Sequence, residues 1–346
     1  MEKNLTTGSV LKSILYFSLP YLLSYFLQTL YGMADLFIIG QFEDISSITA
    51  VSIGSQVMHM ITVMIVGLAM GATVNIGQAI GAGNKKKAAK DIGNTVTLFM
   101  MLAIAGAAGL LFFIIPIVCM MSTPQEAVHE TVIYLTICFL GIPFITAYNI
   151  ISSIFRGIGD SKSPMYFIAA ACAINIILDY LFIGGLHMGA AGAALGTTCS
   201  QTISVLIALV VIMKKKTGIS LSKNDFKIDR KTIKRLLKIG IPVALQDGFI
   251  QIAFIIITII ANRRGLDTAA AVGIVEKIIS FLFLVPSSML STVSALGAQN
   301  IGAGKRERAQ RILYYAVLIT VGFGVMISIN LLCVLCSNCS LESLYL

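Results

Sequence analysis

A chain of 346 residues in which 57% of the side chains are hydrophobic and only 12% are charged is unlike a water-soluble enzyme. Soluble domains carry about 25% charged residues, roughly twice this share, and so few charges do not cover the surface of a soluble domain. The mean hydropathy of +0.91 indicates an integral membrane protein, and membrane proteins gather basic residues at one face, so the net charge of +9 does not by itself indicate nucleic-acid binding.

Nine stretches are long and apolar enough to cross a bilayer, whose core requires about 20 helical residues. The predicted fold class is therefore an all-α polytopic membrane protein. The first stretch is too long for a signal peptide and has no cleavage site, so we interpret it as a span. The predicted spans are residues 13–40, 47–78, 92–120, 131–155, 163–184, 190–213, 236–261, 268–299 and 311–337.

The basic residues predict the orientation of the chain in the membrane. Of the 25 Lys and Arg residues, 22 fall in the N-terminal segment and in alternate loops, on one side of the membrane. Only loop 262–267, with Arg263 and Arg264, breaks this pattern. Since basic loops stay in the cytoplasm, we expect the N-terminus to be cytoplasmic.

The first span contains a proline and an acidic residue. Pro20 is expected to interrupt this span and to permit a bend, as Pro242 is in the seventh. Gln28, Tyr31 and Asp35 are spaced i, i+3, i+7, which places them on one helix face. An ionisable side chain in hydrocarbon is costly unless it is paired or hydrated, so Asp35 is a candidate functional residue.

Spans five and six add polar residues at a similar depth. Asn175 and Asp179 are one helical turn apart in span five, and Thr197 lies in span six. At 1.5 Å per residue, Asp35, Asp179 and Thr197 all lie about 8–10 Å below the outer boundary. Two neighbouring carboxylates repel each other, so such a group is suited to exchange a proton or bind sodium near neutral pH.

The alternative is that these polar groups only form hydrogen bonds between helices, as polar residues in membrane bundles often do. We favour that alternative for Gln28, Tyr31 and Thr197 taken singly. For Asp35 and Asp179 together we favour a functional role, because an acid is a costly way to join helices.

Other polar or soft residues in the spans are weaker candidates. Glu276 and Lys277 in span eight are as consistent with structure as with function, and Lys277 is free to reach a carboxylate of another helix. Met64, in a methionine-rich second span, would suit varied apolar ligands if it lined a cavity. The Gly67/Gly71, Gly77/Gly81 and Gly192/Gly196 pairs have GxxxG spacing, which indicates close helix packing and no chemistry.

An internal repeat relates two parts of the chain. Ile80-Gly81-Ala82-Gly83 recurs as Ile301-Gly302-Ala303-Gly304 with an offset of 221 residues, and Pro20 and Pro242 differ by 222. Six spans separate the copies, so both enter the membrane in the same direction, which is a transporter architecture. The predicted organisation is an amino-terminal six-helix lobe (1–213), a basic linker (214–235), three helices of a second lobe (236–337) and an atypical tail (338–346). By this repeat the second lobe is short by about 100 residues, and we expect a C-terminal truncation.

Motifs for enzymatic chemistry are weak. Gly157-Ile158-Gly159-Asp160 matches the GxGD of intramembrane aspartyl proteases, but Asp160 lies at the opposite membrane face from Asp179. Cys333, Cys336 and Cys339 have an iron–sulfur-like spacing without a fourth ligand. The sequence contains no Walker motif, so we expect a non-enzyme driven by an ion gradient, with no metal and no cofactor beyond the coupling ion.

Taken together, these features resemble the multidrug and toxic compound extrusion (MATE) family from about Leu11 to Leu335. The resemblance rests on Pro20 with Asp35 and on four further segments. These are Gly-Gln-Ala-Ile-Gly-Ala-Gly (77–83), Gly-Ala-Gln-Asn-Ile-Gly-Ala-Gly (297–304), Arg-Gly-Ile-Gly-Asp-Ser-Lys-Ser-Pro (156–164) and Asn175-Ile-Ile-Leu-Asp179 followed by Gly192-Ala-Ala-Leu-Gly-Thr197.

The resemblance implies twelve helices in two lobes, and proton- or sodium-coupled export of organic, often cationic, compounds across the bacterial cell membrane. The expected partners are such small molecules and membrane lipids, without nucleic acid or an obligate protein partner. The span-seven acid of NorM-like members has no counterpart near Gln251. The amino-lobe cation network of archaeal and DinF-like members corresponds to Gln28, Tyr31, Asp35, Asn175, Asp179 and Thr197, with Tyr134 in span four as an addition to it or to the substrate cavity.

Two rival functions remain open at this point. A lipid-linked oligosaccharide flippase of the same superfamily would need a cationic cavity, and only Lys277 lies within a predicted span away from its ends. The second rival is a truncated fragment that does not transport.

Overall fold

The computed structural model describes residues 5–214, 219–264 and 266–342. Within these ranges the side chains of residues 262, 263, 266, 267, 269, 270 and 331–342 are not described. Of the predicted tail 338–346, residues 343–346 lie outside the described residues, and the side chains of 338–342 are not described. The side chains of Cys333, Cys336 and Cys339 are not described either.

The described chain is almost entirely helical and contains no strand. Nine of its helical units are long and apolar enough to cross a membrane, which confirms the predicted fold class. The helices are α1 (Val10–Phe42), α2 (Ile45–Gly81), α3 (Lys85–Phe112), α4 (Ile114–Met120), α5 (Gln125–Ile158), α6 (Lys162–Asp179), α7 (Gly189–Lys214), α8 (Arg230–Arg263), α9 (Leu266–Leu282), α10 (Leu284–Gly302) and α11 (Arg306–Glu342). A π-helical segment (Tyr180–Gly185) continues α6, and a short 3₁₀ turn (Lys223–Phe226) precedes α8.

Two predicted spans are broken in the middle, each by a proline. The third divides into α3 and α4 at Phe113, and the eighth into α9 and α10 at Phe283. A proline has no backbone N–H to donate to the carbonyl four residues earlier. For Pro116 that carbonyl belongs to the last residue of α3, and for Pro286 it belongs to the last residue of α9. The hydrogen-bond ladder is therefore lost where each of these helices ends.

The prolines that we expected to interrupt spans one and seven do not do so. Helix α1 runs continuously through Pro20, and α8 runs continuously through Pro242. In α1 the reason is packing on both sides of the proline, because Phe17, Pro20 and Tyr21 are all buried.

Helix α5 is the centre of the first six spans. In its most apolar stretch 56% of the residues are buried, compared with 11% for α8 and for α11, so the latter two lie at the periphery. The main core cluster joins Leu135, Cys138 and Phe139 of α5 to Val51 of α2 and Ala193 of α7. The amino-terminal lobe is thus built around α5 and α2.

The two copies of the repeat meet face to face. A Cβ added at Gly81 of α2 would overlap the backbone of Gln299 in α10, and one added at Gly302 would overlap the backbone of Gln78. Both pairs obey the 221-residue offset, so the contact is symmetric. We call these four residues the repeat junction, and we call the end of the bundle where they lie, together with the basic loops, the basic end.

Helix α1 belongs to both halves of the molecule. In its first half, Phe17 and Tyr21 pack with Leu296 of α10 and Ile312 of α11. Its second half leads to the buried Asp35 and packs on α6. A displacement of α1 would therefore change the helix packing in both halves.

The basic linker is held against α3. The Asn94 side chain donates to the carbonyl of Asp225 at 3.1 Å and accepts from the backbone N–H of Asp229 at 2.7 Å, and Lys90 lies 3.3 Å from the Asp229 carboxylate. A Cβ at Gly93 would overlap the Asp225 carbonyl, so the glycine permits this approach. The linker also ends earlier than we predicted, because α8 begins at Arg230.

This docking is expected to weaken in acid. The hydrogen bond from the Ser222 backbone N–H lowers the pKa of Asp225, and the bond from the Thr232 hydroxyl lowers the pKa of Asp229. The first bond lies within the linker and the second at the start of α8, so both stabilise the local fold that presents Asp229 to Lys90 of α3. Because folding lowers both pKa values, this contribution is complete above the ordinary carboxyl pKa near 4 and disappears as the pH falls through the lowered values.

Amide hydrogen exchange of residues 219–229, corrected for the intrinsic pH dependence, should therefore increase below about pH 4. An Asn94→Ala variant should exchange faster at every pH, because it loses the neutral contacts. Exchange that stays constant down to pH 3 would contradict this account of the docking.

Candidate cation-binding site

Asp35 and Asp179 adjoin each other inside the amino-terminal lobe. Asp35 is 4% exposed and Asp179 is fully buried. The two carboxyl groups lie close enough to influence each other, and the amide of Asn175 lies beside both. The structure therefore brings together the two acids that the sequence placed at one depth.

Few of the polar atoms around these acids have a hydrogen-bond partner. Thr197 Oγ1 donates to Asp35 Oδ2 at 3.3 Å. Among the described residues, Asp35 Oδ1, both carboxylate oxygens of Asp179, both amide atoms of Asn175 and the Tyr31 hydroxyl are buried without a partner. Buried polar atoms are almost always satisfied in proteins, so this cluster of oxygens has unused capacity for a proton or a cation.

The helix that carries Asp179 changes its winding at that residue. Helix α6 ends at Asp179, and the π-helical segment begins at Tyr180. Segments of this kind occur frequently at functional sites, because they alter the direction of side chains within a helix. Here the segment packs against the end of α1, where Phe42 meets the Tyr180 ring edge-on and a Cβ on Gly184 would lie 3.1 Å from the Phe42 ring. The α6–α1 contact therefore extends beyond the two acids.

Gly196 of α7 lies directly against the Asp179 carboxylate. A Cβ at this position would overlap Asp179 Oδ1 and would lie 3.5 Å from the Asn175 amide nitrogen. The sequence spacing of Gly192 and Gly196 indicated only helix packing. For Gly192 that interpretation is confirmed, since it packs on Phe182. For Gly196 it is confirmed as well, and the atom that this glycine accommodates is a carboxylate oxygen of the predicted site.

The remaining predicted network residues divide into two groups. Tyr134 is 2% exposed and lies near Asp35 and Tyr31, with its ring packed on Gly54. It therefore lies beside the acids of the predicted site. Gln28 shares the α1 face of Asp35 but lines a different, neighbouring cavity.

Two adjacent carboxylates in a protein interior are energetically unfavourable when both are charged. Burial removes the water that would stabilise them, and their mutual repulsion is strong at low dielectric constant. The energetic cost is relieved if one of them holds a proton, or if a monovalent cation binds between them. The surrounding amide, hydroxyl and phenol oxygens are hard ligands that suit either occupant.

The other predicted substrate-cavity residues lie between the two halves. Glu276 accepts a 2.6 Å hydrogen bond from Thr258 of α8, so it does not pair with its neighbour Lys277. Lys277 is exposed and lies close enough to His59 of α2 to interact electrostatically. Met64 of α2 contacts α8 at Gly248.

The close contacts between the two halves are limited to one part of α2. They extend from the Gly71–Leu236 pair, near the basic end, to Met64, which contacts α8. His59 is more than one turn farther along α2, and its side chain is exposed. We refer to the region between the halves beyond Met64 as the cleft.

Comparison with known proteins places these features in one family. The MatE family model matches residues 20–181 and 242–339, which include both halves of the repeat. The unmatched interval contains the linker and α7.

Two curated relatives come from Bacillus subtilis (strain 168). The probable multidrug resistance protein YoeA is 28% identical over 312 residues, which is 88% of this chain and 67% of that protein. The probable multidrug resistance protein YpnP is 33% identical over 309 residues, which is 88% of this chain and 68% of that protein. This chain thus spans about two thirds of the length of these relatives.

A solved structure described as MATE in the bent conformation has the same fold. It is 26% identical in sequence and superposes with a TM-score of 0.85, and the match covers 93% of this chain and 72% of that one.

Proposed function

The chain belongs to the MatE family of multidrug efflux transporters, and from that premise we propose that it exports organic, often cationic, compounds in exchange for a proton or a sodium ion. The observation that carries this proposal is the buried contact between Asp35 and Asp179, surrounded by oxygens without partners. A transporter that did not couple to a cation would gain nothing from a pair of acids in this position.

The cation acts by changing the charge of the pair. A bound proton or sodium ion draws Asp35 of α1 and Asp179 of α6 together, and its release leaves two carboxylates that repel each other. The first half of α1 packs on α10 and α11, so a change at Asp35 is transmitted to the second half of the molecule. Pro20 lies in the first half of α1, three turns or more before Asp35, and lacks the hydrogen bond that would resist bending, so we assign it the role of hinge.

The substrate occupies the cleft between the halves. Met64 supplies an adaptable apolar contact, and Glu276 supplies a negative charge for a cationic compound. In the orientation that the basic loops favour, the basic end faces the cytoplasm and the cleft opens outward. Export would then require the repeat junction to open and close once in each cycle.

The test of this function is efflux from vesicles that contain the purified chain. With an imposed proton or sodium gradient, export of a fluorescent organic cation such as ethidium should exceed that of protein-free vesicles. Asp35→Asn should reduce gradient-driven export to that background, because an amide does not exchange protons and binds sodium poorly. Asp247→Asn, which removes an acid of α8 outside the pair, serves as the matched control and should retain export. Undiminished gradient-driven export by Asp35→Asn would overturn the proposal.

A further inference from the structure

A small cavity lies in the amino-terminal lobe, between the cation-binding site and the basic end. Its volume is about 30 Å³, and eight of its ten lining residues carry a polar group, although most of the surface that they present to it is apolar. Helix α1 supplies Tyr21 and Gln28, and helix α5 supplies Ser152 and Arg156. The cavity lies between these two helices, whose side chains meet at its edge, where Arg156 lies over the Tyr21 ring.

The walls of this cavity are built to hold water. The hydroxyl groups of Tyr21 and Ser152 line it without a hydrogen-bond partner among the described residues, and these residues are only 3% and 2% exposed. A single water needs about 10–15 Å³ of such space, so the cavity accommodates about two. The volume of the cavity and the hydroxyl groups without a hydrogen-bond partner therefore both favour internal water.

The cavity is aligned with the cation-binding site along one face of α1. Tyr21, Gln28 and Asp35 are spaced seven residues apart, so their side chains follow one stripe of the helix. From Tyr21 to Asp35 this stripe covers about 21 Å of helix. Gln28 lines the cavity and Tyr31 lies near Asp35, so the gap between the two polar regions is about one helical turn.

Arg156 is the charged residue of the cavity wall, and it lies at the basic end. Its guanidinium group lies over the Tyr21 ring, 5.9 Å from the ring centroid, and its Nε donates to the carbonyl of Ser152 at 3.1 Å. The nearest acid of the following loop, Asp160, accepts hydrogen bonds from Ser163. A fixed positive charge at this place repels protons and sodium ions.

We propose that this cavity is a hydrated passage by which the coupling cation moves between the Asp35–Asp179 pair and the basic end, and that Arg156 is its gate. This inference rests on the proposed function. In the present arrangement the Arg156 charge closes the passage to cations. A shift of α1 that moves Tyr21 away from Arg156 would remove one of the contacts that hold the guanidinium, and the passage would open.

The first test is the leakage of protons without substrate. In vesicles with an imposed pH gradient, Arg156→Gln should accelerate the loss of that gradient by about tenfold or more, because the repelling charge is gone. Arg156→Lys retains the charge and should leave the membrane as tight as the unmodified chain does. Adding Asp35→Asn to Arg156→Gln should abolish the leak, because protons would then lack the acid at the far end of the passage. A gradient that decays at the unmodified rate in Arg156→Gln would overturn the gating role.

The second test needs no variant and no transport. Hydroxyl radicals generated by X-rays label side chains that touch internal water, so Tyr21 and Tyr148, which line the cavity, should be labelled. Phe99 and Phe139 are equally buried in the apolar core and serve as controls that should remain unlabelled. Labelling of Tyr21 no greater than that of Phe99 would overturn the passage.

The two proposals fail in different ways. Loss of export in Asp35→Asn together with an unlabelled Tyr21 would leave the cation coupling intact and refute the passage. Normal export in Asp35→Asn would refute the cation coupling and the passage with it, even if Tyr21 were labelled.

Discussion

Gly196→Ala is expected to abolish cation-coupled export although neither acid is altered. The new methyl group would overlap Asp179 Oδ1, and Asn175 lies beside it, so the Asp179 carboxylate is forced out of its present position beside Asp35. The atom that must move is the end of a side chain and not backbone, so we expect the fold to persist while the site is lost. Export should fall to the level of protein-free vesicles, as for Asp35→Asn.

A binding measurement separates this effect from misfolding. If sodium is the coupling ion, adding sodium should raise the Tm of the unmodified chain by mass action. If a proton is the coupling ion, lowering the pH over the range of coupling should raise this Tm instead. Neither change should stabilise Gly196→Ala. Gly109→Ala is the matched control, since a Cβ there meets nothing within 4 Å. The proposed geometry is contradicted if Gly196→Ala retains both export and ligand-dependent stabilisation.

Gly81→Ala and Gly302→Ala should each hold the basic end open and stop turnover. At both positions the added methyl group meets a backbone carbonyl, that of Gln299 or of Gln78, which does not rotate away. Relief requires α2 and α10 to separate. Each 1.4 kcal/mol of overlap shifts the balance between closed and open forms by about tenfold, so a contact this close favours the open form strongly.

The distance between spin labels on Lys85 and Lys305, which follow the two copies of the repeat, reports this opening. We expect the distance distribution to move to longer values in both variants and to stay unchanged in Gly322→Ala, where a Cβ has open space. If one glycine variant opens the junction and the other does not, the symmetric contact is not the element that closes it.

The spans, the repeat and the pair of acids were predictable because each follows from local regularities. Hydropathy finds a helix of membrane length, and the rise per residue converts sequence position into depth. Asp35 and Asp179 each precede the outer end of a span by a similar number of residues, so their common depth needed no knowledge of packing. The splits of the third and eighth spans coincide with Pro116 and Pro286, but the sequence does not distinguish these prolines from Pro20 and Pro242, through which α1 and α8 continue.

What could not be predicted depends on how each helix is rotated about its axis. Helices surrounded by lipid and protein are apolar on all sides, so the sequence of α7 does not reveal that Gly196 faces Asp179. The position of Gln28 depends on the same rotation. It shares a face of α1 with Asp35, and the structure places it in the wall of a neighbouring cavity, which its spacing did not indicate. The persistence of α1 through Pro20 depends on neighbours that only the fold brings together.

The symmetry of the repeat junction has a consequence for how such a protein can be assembled. In each half, a glycine is covered by the backbone of a glutamine from the other half. An isologous dimer interface has the same arrangement, but here the two halves belong to one chain. Two separate copies of one half would present the same complementary surfaces to each other. A linker such as the one docked on α3 then contributes proximity and not recognition, so the halves expressed as separate polypeptides should still find each other in the membrane.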